Sequence, residues 1–487
     1  MTTGTSRARQ IGEKTFSCEE QRVFAQVSRD CNPMHVDPVA ARRLMTGRQV
    51  VHGIHILLSA LEFWQNDTAS PPLSIACSFS NPLSVGEPLV FRQFCEADNT
   101  STVEASVNGL LCASITLATA REQAPTQAWS SLDEATPGGN ICTIGKLAQP
   151  LDEAAESHVG KQYALGLDDA DLSALFPNSL RYLGKEGVAS TLALSFFVGM
   201  VCPGLHSVFS SLKIDLHVDE ALRDDHLRFR VLKYDDRFRL FDIAFRGCIQ
   251  GVIKAFLRPP AQSQPSLEEL SAYVQADEFK GSRSLIIGGS RGLGEVTAKI
   301  LAAGGGDVIL TYASGRDDAR IICDEINARQ RSHCQVEKLD LTTDSFNSVN
   351  IDWNSLHSIY FFATPRIFRK KAELFDSGLF HEFCDFYIGK FYGLCTFLET
   401  SISTGRIKVY FPSSVYVEER PRGMAEYAMA KSAAELLIQE INRTFHKLTV
   451  SCTRLPRLST DQTVTILKVS TGSNAATLLP LIRSMHA

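Results

Sequence analysis

With 487 residues the chain is too long for one ordinary core, so two to four domains are expected. Hydrophobic residues make up 44% and charged residues 21%, which is typical of globular proteins and excludes a disordered chain. The net charge of -5 gives no general attraction to nucleic acid or an anionic membrane, and no apolar run has membrane-spanning length. The thirteen cysteines form no C-x-x-C pair and a signal-peptide core is absent, so we expect a cytoplasmic protein with reduced cysteines and no metal site.

The first informative segment, residues 29–37, contains an acid and an imidazole five positions apart. Asp30 and His35 are separated by an Asn-Pro dipeptide, and proline moves the residue before it out of helical geometry. A loop of this kind can aim both side chains at one point, where they can hold and deprotonate a water. Gly53 begins an apolar segment predicted to be a helix, whose first N–H groups can stabilise a developing oxyanion. The alternative is an ordinary turn with a solvated histidine.

These segments resemble a known family signature, FAQVSRDCNPMHVDP at residues 24–38 with VHG at residues 51–53. The resemblance is to MaoC-like, (R)-specific enoyl-thioester hydratases of the hotdog fold, and it covers residues 12–120. It implies that Asp30 and His35 handle the water that adds to, or leaves from, a 2-enoyl thioester. It also implies that the N–H of Gly53 polarises the thioester carbonyl. A hotdog domain kept only for binding is the alternative.

The segments from residue 73 to residue 260 predict the rest of this domain and a second, similar one. Strand-like segments from residue 73 to 118 follow the predicted helix, as in one hotdog. Residues 121–160 are richer in Pro, Gly, Ser and Gln, and are interpreted as a connector with one strand near 141–144. Residues 161–260 predict a degenerate second hotdog without the Asp-x-Asn-Pro-x-His motif, so we interpret them as scaffold and one wall of the acyl pocket. Its predicted elements are a helix over 188–200 and strands at 207–216, 227–234, 238–247 and 252–257.

Residues 261–280 are predicted to be a linker with a short helix, and from residue 284 the pattern changes to strand, glycine-rich turn and helix. Gly288, Gly292 and Gly294 follow the strand directly, and glycines there permit a tight turn with a pyrophosphate at the helix N-terminus. Further strands alternate with helices. Residues 281–487 are therefore predicted to form a Rossmann domain, a doubly wound parallel sheet, giving a multidomain α+β and α/β fold overall.

A second group of polar residues lies near the C-terminal end. Tyr427 and Lys431 are four positions apart on a predicted helix and therefore share one face. A nearby Lys⁺ lowers the pKa of a tyrosine and makes it a workable acid for a carbonyl oxygen. Ser414 ends the preceding strand, thirteen positions before Tyr427. The alternative for each residue alone is a surface position, but the three together behind a dinucleotide-type turn favour a reductase site.

These residues resemble the short-chain dehydrogenase/reductase family over residues 281–470. The resemblance implies that Tyr427 donates the proton, Ser414 holds the substrate oxygen, and Lys431 binds the ribose and tunes Tyr427. It also implies a cofactor site that includes Tyr427 and Lys431, with Asp340 at the adenine. The other residues of that site are Gly288, Ser290, Arg291, Gly292, Leu293, Gly294, Leu341 and Ala363.

The choice of cofactor rests on two positions. Tyr312 lies at the end of the second strand, where an acidic residue would bind the ribose of NAD, and Arg291 is placed to meet a 2′-phosphate. We therefore expect NADP(H). The sequence also departs from the family, because the helical Asn of its proton relay falls near Phe386 and Tyr387, neither of which can serve. Either another group supports the relay, or the reductase is slow or altered in substrate.

Both halves predict activity on one molecule, since a 3-hydroxyacyl thioester is the product of ketoreduction and of enoyl hydration. The sequence therefore predicts a bifunctional enzyme that interconverts 3-oxoacyl, (R)-3-hydroxyacyl and trans-2-enoyl thioesters of coenzyme A or acyl carrier protein. The alternatives are an NADP(H)-dependent ketoreductase with a non-catalytic acyl-binding hotdog, and a non-catalytic acyl-carrier docking scaffold. We expect a homo-oligomer with no nucleic-acid or membrane partner.

Overall fold

The computed structural model describes residues 8–44, 46–65, 71–95, 99–120, 141–168, 170–216, 226–369, 374–403, 405–465 and 471–487. The chain forms two compact units, residues 1–260 with 465–468, and residues 261–464 with 469–487. Within the described ranges, no helix combines the length and apolar character needed to cross a membrane.

The first unit is built on one large sheet. Its elements are β1 (Arg9–Thr15), α1 (Cys18–Ser28), α2 (Pro33–Val36), α3 (Pro38–Ala41), α4 (Gly53–Phe63), β2 (Ser74–Phe79), β3 (Pro88–Cys95), β4 (Thr100–Val107), β5 (Leu110–Ala118), β6 (Ile141–Ile144), β7 (Gln162–Gly166), α5 (Pro177–Phe196), β8 (Ser207–Asp215), β9 (His226–Asp235), β10 (Leu240–Arg246) and β11 (Gln250–Leu257). The eleven strands follow the order β1-β3-β4-β5-β2-β8-β11-β10-β9-β7-β6. One half of the sheet thus comes from the first predicted hotdog segment, and the other comes from the second together with β6 of the predicted connector.

The two halves of this sheet join through β2 and β8, which pair antiparallel from Ser74 opposite Asp215 to Ser78 opposite Ser211. The first half carries α1 and α4, of 11 residues each, and the second carries α5, of 20 residues. Every residue of α4 from Ile54 to Leu61 is buried, as expected for an apolar helix wrapped by a sheet. The buried residues of both halves belong to one continuous hydrophobic cluster. The two halves therefore share a core as well as a sheet.

The predicted helix over 188–200 is part of a longer helix. α5 begins at Pro177, in the favourable first position, bends at Gly184 (φ 70), and continues into a π-helical turn, Phe197–Val201. The sequence pattern misses its first half because that half is mostly polar. The predicted strand near 141–144 is confirmed as β6, which pairs parallel to β7.

The second unit has a parallel sheet between helices. Its elements are α6 (Leu267–Ser271), β12 (Arg283–Ile287), α7 (Gly292–Ala303), β13 (Asp307–Tyr312), α8 (Arg316–Asn327), β14 (Cys334–Lys338), β15 (Ser358–Phe361), α9 (Ser377–Cys384), α10 (Phe391–Ser401), β16 (Ile407–Ser414), α11 (Tyr416–Glu419), α12 (Ala425–Thr444), β17 (Leu448–Leu455) and α13 (Asn474–His486). The six strands follow the order β14-β13-β12-β15-β16-β17, with every pair parallel. The order reverses at β12, which is where ligands bind in open parallel sheets.

Alternate residues of β12 face two separate cores. Leu285 and Ile287 belong to one hydrophobic cluster, and Ile286 belongs to the other. This alternation explains the continuous apolar run in the sequence, since a parallel strand covered by helices is buried on both sides. Residues 261–280, interpreted as a linker, pack onto this unit: Leu267 and Leu270 are buried in the same cluster as Ile286.

Candidate active sites

The loop between α1 and α2 is shaped by local capping. α1 ends at Arg29 in the left-handed conformation (φ 60), which turns the chain sharply before Asp30. Asn32 then caps α2, because its side-chain oxygen accepts a hydrogen bond from the N–H of Met34 (3.2 Å) and Pro33 occupies the first helical position. The side-chain amide of Asn32 also donates to the carbonyl of Gly199 (2.9 Å). The loop is therefore fastened to the second half of the sheet unit.

Asp30 and His35 meet in a buried site, with exposed fractions of 2% and 8%. A carboxylate oxygen of Asp30 and one ring nitrogen each of His35 and His52 all lie within 4.8 Å of one another. Nδ1 of His35 contacts the Val50 carbonyl at 2.9 Å. Because a carbonyl oxygen can only accept, Nδ1 carries the proton and Nε2 is left as an acceptor. His35 is thereby held in the tautomer that can take a proton.

His52 is a buried ring that the sequence analysis did not assign to the site. It stacks on His35 with ring centroids 3.9 Å apart. Its Nδ1 lies 2.9 Å from the side-chain oxygen of Gln21, and its Nε2 lies 3.0 Å from the backbone carbonyl of Asp30. Both ring nitrogens of His52 thus face oxygen atoms that can only accept, and a neutral imidazole can donate to one of them. Through that hydrogen bond and its stacking on His35, His52 holds the neighbouring groups in place.

Burial brings the pKa values of the acid and the base closer together. Desolvation raises the pKa of Asp30, although the charge on His35 and the hydroxyl of Ser195 act in the opposite direction. Desolvation lowers the pKa of His35, and the Asp30 carboxylate partly offsets this. Two groups whose pKa values are shifted towards each other can exchange protons at little cost, as acid–base catalysis requires.

The second half of the sheet unit supplies two further residues to this site. The hydroxyl of Ser195, in α5, donates to Oδ2 of Asp30 at 2.7 Å. Gly199, in the π-helical turn, lies so close that a Cβ there would be 2.2 Å from Oδ1 of Asp30. Both residues were missed from the sequence, since a single Ser or Gly in an apolar helix gives no signal. Residues 161–260 therefore contact the carboxylate directly.

Gly53 lies where the sequence analysis placed it, as the first residue of α4. Its backbone N–H is one of those that the helix itself does not use. A Cβ at this position would lie 3.1 Å from the ring of Phe79, so any larger residue would crowd the entrance to the helix N-terminus. The preceding residue, His52, connects Gly53 directly to the buried ring pair.

In the second unit, the glycine-rich turn is tightly packed. A Cβ on Gly288 (φ 85) would lie 2.6 Å from the N atom of Ala363, and a Cβ on Gly294 would lie 2.3 Å from the Gly288 carbonyl oxygen. α7 therefore begins, at Gly292, directly against the ends of β12 and β15. Such a turn offers backbone N–H groups at a helix N-terminus, which is where phosphates bind. Of the other predicted contacts, Ser290 is buried and Leu293 packs into the core under α7.

Arg291 has an acidic partner that the sequence did not reveal. Its Nη1 lies 3.2 Å from Oδ2 of Asp461, which is 5% exposed. Oδ1 of Asp461 accepts a hydrogen bond from the backbone N–H of Gln262 (2.8 Å), so the carboxylate is fixed in place. The contact of Arg291 with a 2′-phosphate stays a prediction, and that phosphate would have to compete with Asp461.

The predicted adenine contacts lie beyond the end of β14. Oδ1 of Asp340 accepts hydrogen bonds from the N–H and the hydroxyl of Thr342, at 2.9 and 2.6 Å, and so caps its own turn. Leu341 is buried in the same hydrophobic cluster as Leu285. Their roles towards a nucleotide stay predictions.

Ser414, Tyr427 and Lys431 are all buried beside one another at the end of β16 and the start of α12. Nζ of Lys431 donates to the Pro412 carbonyl at 2.7 Å, and burial lowers the pKa of Lys431 to about 7. Burial also raises the pKa of Tyr427, while the hydroxyl of Ser414 acts to lower it. The expectation that lysine would lower this tyrosine pKa is therefore wrong, because desolvation of the phenolate outweighs it.

Tyr387 occupies the space beside this group. It lies in a π-helical turn, Asp385–Lys390, and its ring lies 3.7 Å from Nζ of Lys431 and 5.8 Å from the ring of Tyr427. Its hydroxyl is hydrogen-bonded to that of Thr364. Tyr387, close to the position where the resemblance predicted a relay Asn, thus makes a cation–π contact with Lys431.

Comparison with known proteins gives a match at the N-terminus. Residues 3–110 match the model of the MaoC like domain family. This N-terminal part of the chain is therefore similar to MaoC-like domains. A mitochondrial 3-hydroxyacyl-[acyl-carrier-protein] dehydratase from Arabidopsis thaliana is 33% identical over 79 residues. That match covers 16% of this chain, and the chain spans 41% of the length of the curated relative.

Solved structures similar to the chain include short-chain dehydrogenases. One from Salmonella enterica serovar Typhi has 19% identity and a TM-score of 0.37, covering 43% of this chain and 92% of that one. One from Shigella flexneri has 17% identity and a TM-score of 0.38, covering 43% and 88%. FolM alternative dihydrofolate reductase 1 from Brucella canis, complexed with NADP, has 16% identity and a TM-score of 0.32, covering 36% and 72%.

Proposed function

We propose that the chain is a bifunctional enzyme that interconverts 2-enoyl, (R)-3-hydroxyacyl and 3-oxoacyl thioesters of coenzyme A or acyl carrier protein. Hydration is assigned to a double hotdog, with the site in residues 12–120 and a degenerate second hotdog in residues 161–260. Reduction with NADP(H) is assigned to a Rossmann domain in residues 281–487. The observation that carries the proposal is the buried meeting of Asp30 and His35, with pKa values shifted towards each other.

In the proposed hydration, His35 acts as the base and Asp30 as the acid. Nε2 of His35 takes a proton from water, and the water oxygen bonds to C3 of the enoyl group. The electron pair of the double bond moves to the thioester oxygen, where the N–H of Gly53 stabilises the developing charge. Protonated Asp30 then gives its proton to C2, and the proton on His35 returns to Asp30. Dehydration is the same sequence reversed.

The hydratase test uses a crotonyl thioester, whose enoyl absorbance disappears on hydration. Asp30→Asn and His35→Ala should each lower turnover by at least about 100-fold, the usual contribution of a general acid or base. Asp37→Asn is the matched control, since Asp37 caps α3 through Oδ1, which an Asn retains. Reductase activity should persist in all three variants. Loss of both activities in a folded protein would contradict two separate sites.

The reductase assignment rests on the place of the second group of residues in the sheet. The tight glycine turn at the N-terminus of α7 lies at the reversal of strand order and fits a dinucleotide pyrophosphate. When bound, NADPH supplies a hydride to the carbonyl carbon. Tyr427, whose raised pKa keeps it a phenol, donates its proton to the oxygen, and Ser414 holds that oxygen. Lys431 binds the ribose beside them.

The reductase test uses an acetoacetyl thioester and follows NADPH oxidation. Tyr427→Phe should abolish reduction with little change in NADPH affinity measured by fluorescence, because only the hydroxyl is removed. Lys431→Ala should weaken both, since it removes a ribose contact and a charge. Tyr416→Phe, a change in the ring packed at 6.3 Å against Tyr427, is the matched control. If Tyr427→Phe keeps most of the rate, the chain is better described as a hydratase with a nucleotide-binding domain.

One observation favours that second candidate. Tyr387 fills the position of the relay Asn, and Lys431 is engaged by the Pro412 carbonyl and by the Tyr387 ring. Proton supply to Tyr427 through an asparagine-held water is therefore closed, and the reductase would need another route.

A further inference from the structure

A buried arginine close to the proposed hydratase site has hydrogen-bond donors without an acceptor among the described residues. Arg258 follows β11 and is only 2% exposed. Its Nη2 donates to the carbonyl of Leu205 at 2.6 Å. Within the described part of the chain, its Nε and Nη1 have no hydrogen-bond partner. Leaving guanidinium N–H groups buried without an acceptor is costly, so such a group is expected where a ligand provides one.

The position of Arg258 ties it to the catalytic loop. The Leu205 carbonyl that accepts from Arg258 also accepts from the side-chain amide of Asn32, at 3.4 Å. Asn32 lies between Asp30 and His35 in the sequence and caps the helix that carries His35. The charge of Arg258 is also close enough to lower the pKa of His35. The guanidinium therefore lies one carbonyl group away from the loop that holds the reacting groups.

The charges around Arg258 leave a positive excess. Asp152 is the acid that acts on its pKa, but the Asp152 side chain is 63% exposed and lies 3.4 Å from His206. Arg239 adds a second positive charge that acts on His206. Burial lowers the pKa of Arg258 to about 10, so the group stays a cation at neutral pH. A small anion is the ligand that would complement it.

We propose that Arg258 binds a carboxylate on the acyl chain, so that the hydratase site acts on 2-enoyl thioesters of short dicarboxylic acids. This inference rests on the proposed hydratase function and specifies its substrate class. The phosphate of a pantetheine arm is an unsuitable partner, because two amide units separate it from the thioester. A carboxylate at the far end of a short acyl chain lies only a few bonds from C2 and C3, which matches the proximity of Arg258 to His35.

The test compares two thioesters of equal chain length, glutaconyl-coenzyme A, which ends in a carboxylate, and 2-pentenoyl-coenzyme A, which ends in a methyl group. We expect wild type to have the higher kcat/KM on glutaconyl-coenzyme A. In Arg258→Met and Arg258→Gln, the ratio of the two kcat/KM values should fall by about 100-fold, the value of a charge-assisted pair of hydrogen bonds. Arg258→Gln keeps an amide that can still donate to the Leu205 carbonyl, and thermal unfolding of both variants checks the fold.

A binding measurement separates this inference from the function on which it rests. Calorimetry of wild type with the unreactive glutaryl- and valeryl-coenzyme A requires neither turnover nor a variant. Hydration of both enoyl thioesters without a preference, or a preference that survives in both variants, would overturn the role of Arg258 and leave the hydratase intact. Tighter binding of the glutaryl thioester without hydration of either enoyl thioester would support Arg258 and refute the hydratase.

Discussion

The contact between Gly199 and Asp30 gives the sharpest test of how the hydratase site is assembled. In Gly199→Ala the new Cβ would lie 2.2 Å from Oδ1 of Asp30, and 2.5 Å from its Cγ and Oδ2. Ordinary contact begins at 3.4 Å, so the carboxylate must retreat by about 1.2 Å (3.4 − 2.2) or the helical turn must shift. A misplacement of about 1 Å in a catalytic group can cost about 100-fold in rate, so we expect at least that loss in kcat.

The assay follows hydration of a crotonyl thioester at saturating substrate, with thermal unfolding as a check on the fold. Gly145→Ala is the control, because nothing lies within 4 Å of a Cβ at that position. Overpacking a core costs about 1–3 kcal/mol, so Gly199→Ala should lower the unfolding temperature while the protein still folds. A folded Gly199→Ala with wild-type kcat would refute the inference that residues 161–260 position the catalytic carboxylate.

Three further predictions concern charges. Ser195→Ala removes a hydrogen bond that lowers the pKa of Asp30, so the basic limb of the plot of kcat/KM against pH should move to higher pH. If that limb does not move, Asp30 is not the group whose titration produces it. Asp461→Asn keeps the acceptor for Gln262 but removes the ion pair with Arg291, so fluorescence titration should show tighter NADPH binding and little change for NADH. Equal changes for both cofactors would place Arg291 away from the 2′-phosphate. Burial lowers the pKa of Lys431 to about 7, whereas the ordinary value in the unfolded chain is 10.5. Between these two pH values the unfolded chain binds more protons than the folded chain, so the wild type becomes more stable as the pH rises. In urea unfolding, Lys431→Met should be more stable than wild type at about pH 6 and lose that advantage by about pH 10, whereas a constant difference would contradict the burial of a titrating lysine.

Sequence patterns predicted most of the elements, since period and breaker residues are local. The Asn-Pro loop, the helix that begins at Gly53 and the strand at 141–144 all have local causes. The polar first half of α5 was missed, because a contact with α4 caps its first turn: Glu62 accepts hydrogen bonds from the N–H groups of Asn178 and Ser179. Such a contact joins residues more than a hundred positions apart and leaves no periodic signal.

The residues of the candidate sites also differ in whether local sequence or distant contacts specify them. Asp30, His35 and Tyr427 were predicted because motif spacing on one loop or one helix specifies them. Ser195 and Arg258 could not be predicted, because each approaches the catalytic loop only through the pairing of β2 with β8 and the packing it imposes. The raised pKa of Tyr427 was also missed, since burial, which decides its sign, is a property of the whole fold.

The central position of β2 limits how the first unit can be divided. β2 is paired on one side with β5 and on the other with β8. A fragment that ends at residue 110, where the family match stops, would lack both neighbours and would leave β2 and one side of β4 as open edges. Unpaired apolar edges recruit other chains, so such a fragment should aggregate rather than fold as a small hydratase. β8, which belongs to the half without the Asp30 motif, is therefore structurally necessary for the half that carries it.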